Sequence, residues 1–114
     1  MNITELGSAP WVDGKVRVAS SWRTRDYESG GMMFRELWHY NTLMVESVWL
    51  WDNPIGWGVY STDTGWGSTS DLRGVNKYLK GIGVSDRLRL TSRNGKAFYY
   101  NPQVGSALLN KGGK

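Results

Sequence analysis

The stretch STSDLRGVNKYLKGIG, residues 68–83, decides the fold. Ser68 followed by Asp71 has capping-box spacing, with Asp in place of the usual Glu or Gln. Leu72, Val75, Leu79 and Ile82 recur at helical spacing on one side. Lys77 and Lys80 lie near the end where the helix dipole favours cations. Gly81 or Gly83 supplies a left-handed stop. Gly74 costs the helix about 1 kcal/mol relative to Ala, a cost that a close approach to a sheet would explain. The spacing predicts one main helix over about 69–81.

Working outward, most of the chain alternates with the period of strands. Lys15 to Arg25 reads as one half-buried strand. Its inner face would hold Val16, Val18, Ser20, Trp22 and Thr24, and its outer face four positive charges. Glu28 to Gly31 is a turn. Phe34–Tyr40 and Leu43–Leu50 are two strands joined by a tight hairpin at Asn41, or one long bulged strand. Asp52-Asn53-Pro54 is a turn, and Trp57–Ser61 a short strand. Downstream, Asn94-Gly95 between Arg87–Arg93 and Lys96–Tyr100 has the pattern of a type I′ hairpin, pairing Arg93 with Lys96. Residues 1–14, broken by Gly, Pro and Asp-Gly, are expected to be a flexible N-terminal arm. Residues 101–114 are expected to form a tail or a short helix over Pro102–Leu109. The expectation is a single α+β domain, 1–114, with an antiparallel β-sheet of about five or six strands and one main helix packed on it.

Composition bounds the chemistry. A chain of 114 residues fits one domain. With no cysteine, disulfides and thiolate metal sites are excluded, and a cytoplasmic setting is expected. Residues 1–10 lack the features of a signal peptide, and no apolar run approaches the ~20 residues of a membrane span. The net charge of +4 is unevenly spread: residues 1–60 carry five basic and seven acidic side chains, residues 61–114 nine and three. A basic half can attract nucleic acid or an acidic protein.

Two surfaces stand out as binding candidates. On the C-terminal hairpin, Arg87, Arg89, Arg93, Lys96, Phe98 and Tyr100 share one face, mixing cations and rings as single-stranded nucleic acid requires. The same residues also suit exposed cation–π pairs with no ligand. In the middle of the chain, Trp49, Trp51, Trp57 and Trp66 are either a core or anchors for a partner. No residue set reads as catalytic, and no cofactor or metal site is expected. His39 is the chain's one histidine. No nucleophile elbow accompanies it, so a small hydrolase using His39 is a minor alternative. The glycine-rich Gly65-Trp66-Gly67 that opens the helix lacks a Walker lysine, so it reads as room for Trp66 rather than as a phosphate site.

Three short motifs, Ser21-Trp22-Arg23-Thr24-Arg25, Glu36 to Met44 (ELWHYNTLM) and Thr64 to Asp71 (TGWGSTSD) with Gly74 and Asn76 following, together resemble an uncharacterised family of small domains. That family is found in tailed phages of actinobacteria and in some archaeal viruses. The resemblance covers about residues 20–100. It implies a phage-encoded accessory protein in the host cytoplasm, and it carries no activity or catalytic residues. The functional expectation is a non-enzymatic binding protein that engages a host protein or nucleic acid, with homodimerisation left open.

Overall fold

Two-residue turns fold the centre of the chain into a meander. In the computed structural model, which describes residues 1–51, 55–63, 68–84 and 96–97, the strands are β1 (Val16–Ala19), β2 (Trp22–Ser29), β3 (Met32–His39), β4 (Thr42–Leu50) and β5 (Gly56–Asp63). Each neighbouring pair is antiparallel, and a two-residue strand β6 (Lys96–Ala97) adds to the β5 edge opposite Thr62 and Asp63. Tight hairpins need positive φ in the loop. Gly30 and Gly31 supply it between β2 and β3, but Ser20 (φ 58°) and Tyr40 (φ 53°) adopt it in the other two turns, a conformation uncommon for non-glycine residues.

Two helices cover one face of the sheet. In α2 (Thr69–Gly81), Ser68 caps the start by accepting a hydrogen bond from the Asp71 amide. The end is a Schellman motif: Gly83 is left-handed at φ 85°, Val84 N–H bonds Leu79 carbonyl, and Gly83 N–H bonds Lys80 carbonyl. The buried stripe of α2, Val75, Tyr78 and Leu79, packs with Leu37 and Val45 from the sheet and Leu6 from α1 (Ile3–Ser8). Burial of each such large apolar side chain is worth roughly 1.5–3 kcal/mol. A Cβ on Gly74 would fall inside the ring of Trp22, so the glycine lets helix and sheet close on each other. The opposite face is also buried, around Phe34, Val48, Leu50 and Tyr60. That explains why β4 is apolar on both sides. A register shift at Leu37/Trp38 also lets Met44 and Val45 both reach the helix-side core.

Two expectations are corrected and a third is refined. Lys15–Arg25 is not one strand: Ser20-Ser21 turns it back on itself, so its inner and outer faces exchange within β1. Val16 and Val18 are exposed, while Arg17 turns inward to Asp26 at 3.1 Å. The tight hairpin expected at Asn41 is present, and only the left-handed residue differs: the positive φ falls on Tyr40 rather than on Asn41. Residues 1–14 are not a loose arm. Asn2 and Glu5 form a reciprocal capping box, each accepting from the other's amide at 2.8 Å. The fully buried Arg35 grips Asp26 through two bonds of 2.7 and 2.9 Å and donates to the Gly7 carbonyl at 2.8 Å. Trp11 Nε1 donates to the Phe34 carbonyl. A buried guanidinium must have its donors satisfied, and the N-terminal segment supplies part of that shell. The expected C-terminal hairpin, except for the Lys96–Ala97 backbone, and the expected helix over Pro102–Leu109 lie outside the described residues.

Candidate functional site

Two concave sites sit at opposite ends of α2. The first is bordered mainly by residues with hydroxyl, imidazole or carboxylate groups, and it gathers residues from all three motifs singled out in the sequence: Ser21 from the β1–β2 turn, His39 from the end of β3, and Asp71 from the first turn of α2. Asp71 Oδ1 lies 2.7 Å from His39 Nδ1, and Ser21 Oγ lies 3.0 Å from His39 Nε2. The imidazole stacks flat on the buried Trp22, with centroids 3.9 Å apart and planes 4° apart. The two turns that carry the site are joined, since Tyr40 N–H bonds the Ser21 carbonyl at 3.0 Å and Arg23 Nη1 donates to the Tyr40 carbonyl. Burial raises the Asp71 carboxyl, but hydrogen bonds with His39 and Ser68 outweigh it and hold the group below its ordinary range. An ionised Asp71 is placed to accept from Nδ1, and in that tautomer Nε2 would be the nitrogen that faces the Ser21 hydroxyl. In front of these groups lies a cavity of about 440 Å³, walled in part by Thr42, Met44, Ser68 and Ser70.

The second site is an apolar groove of about 430 Å³ between α1, the end of α2 and the sheet. Pro10, Trp11, Met33, Trp49, Trp51 and Trp57 contribute to its lining. Trp49 packs edge-to-face against both Trp51 (5.8 Å) and Trp57 (5.3 Å), an arrangement that stabilises aromatic pairs beyond their area burial. Trp57 is core, lying over the guanidinium of Arg35. Trp49 is half-buried. Trp51 is 64% exposed, and Ile55, near it in sequence, is 70% exposed.

The sequence-predicted residues thus divide. Trp49, Trp51 and Trp57 come together in the lining of the groove, Trp57 buried, Trp49 half-buried and Trp51 exposed. Trp66 and the hairpin residues Arg87, Arg89, Arg93, Phe98 and Tyr100 lie outside the described residues, as does the side chain of Lys96. Sequence reasoning missed Ser21 and Asp71 as partners of His39. Asp71 was legible as part of the helix cap and Ser21 as the first residue of a motif, but nothing local joined either to His39. It also missed Trp11 and Pro10, which were assigned to the arm. Among the described residues no three His, Asp or Glu side chains gather as a metal-ligand set, and no helix is long and apolar enough to cross a membrane. No family model, no curated protein and no solved structure matches the chain.

Proposed function

We propose that the protein is a binding module, a phage-encoded accessory protein of the host cytoplasm, which holds a host protein by an apolar side chain seated in the tryptophan groove. One observation carries this reading: Trp51 stays largely exposed in the lining of a groove whose other aromatic residues are partly or fully buried. Large exposed apolar side chains clustered at one concavity mark interaction sites, and tryptophan anchors commonly dominate binding energy. Among the described residues, the groove lining holds no Lys, Arg, Asp or Glu. Nucleic acid needs cations alongside its stacking rings to meet the phosphates, so this surface favours a protein over a nucleic acid.

The test compares capture from nuclease-treated host lysate by the wild-type chain and by a Trp51→Ala/Ile55→Ala variant. One dominant protein should be retained by the wild type and lost by the variant. The same pair should then bind as purified components, with at least a tenfold weaker Kd for the variant. Equal capture by both chains, or nothing above background, overturns the proposal. Capture that disappears with nuclease would assign the surface to nucleic acid instead.

A further inference from the structure

Beyond the binding reading, and resting on separate residues, we infer that Ser21, His39 and Asp71 form a nucleophilic site that hydrolyses small uncharged carboxylic esters. The bonding order carries the inference. A serine nucleophile needs an imidazole at its hydroxyl through one ring nitrogen and an acid orienting the other. Here the carboxylate is 2.7 Å from Nδ1 and the hydroxyl 3.0 Å from Nε2. The ring cannot easily turn out of that line, because it is stacked flat on Trp22. A purely structural tie among a turn, a strand and a helix would not require an adjoining cavity, yet all three groups line one.

Backbone conformation supports the same site. Among non-glycine residues with described backbone, Ser20 and Tyr40 are the two with positive φ, and they flank Ser21 and His39 in sequence. The tight hairpins require that backbone, and it fixes the two turns that hold Ser21 and His39 in place. The cavity volume of about 440 Å³ falls in the range of small-ligand sites, roughly 300–1,000 Å³. Its lining sets the substrate class. Met44 and the Tyr40 ring offer an apolar wall, Thr42, Ser68 and Ser70 offer hydroxyls, and the single carboxylate is already engaged by His39. Among the described residues of that lining, none is a lysine or arginine that would pair with an anionic substrate.

In the reaction, Ser21 Oγ attacks the carbonyl carbon while its proton passes to His39 Nε2. The tetrahedral oxyanion collapses, the bond to the alcohol oxygen breaks, and the alcohol leaves with the proton from Nε2. Water then attacks the acyl-serine, giving its proton to Nε2. The acyl–Oγ bond breaks, Oγ recovers the proton, and the carboxylic acid departs. Asp71 acts as a positioning residue throughout.

The experiment treats the full chain with a fluorophosphonate probe and with p-nitrophenyl acetate. One adduct per chain, mapped by peptide mass spectrometry to Ser21, is expected, with ester turnover above buffer. Ser21→Ala should abolish the adduct. Asp71→Asn should slow labelling by about a hundredfold or more and change its pH profile, which loss of a structural tie alone would not do. The site is overturned if the wild type gains no adduct, if the adduct maps elsewhere, or if Ser21→Ala labels at the wild-type rate. The mapping on the wild type decides the matter even if a variant fails to fold. Adduct formation is read on the purified chain without any partner, so failure of the groove reading and failure of this one are distinguishable.

Discussion

Gly74 is the residue at which helix propensity and packing pull in opposite directions. Replacing it with Ala would favour α2 by about 1 kcal/mol on propensity alone. The added Cβ, however, would have to occupy the space of the Trp22 ring, which is buried and stacked on His39. A ring held on both sides has no free rotamer to move into, and overpacking of that kind costs about 1–3 kcal/mol. With the added Cβ overlapping the Trp22 ring carbons, the packing cost falls at the upper end and wins: Gly74→Ala should lower the urea midpoint, with a net destabilisation of up to about 2 kcal/mol. A raised midpoint would mean that Trp22 can retreat. The oddity was legible in the sequence as a glycine inside a good helical stripe. Its cause was not, because the ring that meets it lies about 50 residues away in the chain and a long-range contact leaves no local periodicity. Ser21, His39 and Asp71 were hidden for the same reason, although each sat in a motif visible by eye.

Elements were read well where local chemistry alone specified them and poorly where burial of a charge did. The helix over 69–81, with its cap, stripe and glycine stop, follows from rules that act within one or two turns, and α2 obeys them. The alternation of residues 15–25 was real, but Ser20-Ser21 is not a strong turn signal, so one strand was expected where there are two. The capping box of Asn2 and Glu5 was present in the sequence, yet a six-residue helix is unstable without tertiary contacts. Those contacts centre on an ion pair with no exposed surface on either side chain. Asp26 satisfies Arg35 twice and also accepts from the Val12 amide and Arg17. Removing one partner of a buried pair leaves a charge without compensation, at about 3–5 kcal/mol. Asp26→Ala should destabilise by that amount in urea unfolding, and amide exchange in α1 should become fast, since Arg35 is what binds the Gly7 carbonyl to the sheet. Retained protection of α1 in the variant would show that its apolar contacts, chiefly Leu6, suffice.

At the scale of the whole molecule, α2 is the strut between two unlike sites. Its first turn carries Asp71 to the cavity at His39, and its last residue, Gly81, borders the apolar groove together with Ile82. Thirteen helical residues separate the two by about 20 Å at 1.5 Å per residue. His39 contacts Trp22, Tyr40, Ser21 and Asp71, whereas Trp49 contacts Trp51 and Trp57, so the two neighbourhoods share no named partner. Residues more than about 10 Å apart without common contacts usually contribute additively. His39→Ala removes a buried ring and strands Asp71, and Trp49→Ala removes a half-buried ring from the groove lining. Each should cost more than about 1 kcal/mol. The double variant should lose the sum to within about 0.5 kcal/mol in urea unfolding. A coupling above about 1 kcal/mol would mean that α2 transmits strain from one end to the other, and a ligand in the groove would then be expected to shift the geometry at Ser21.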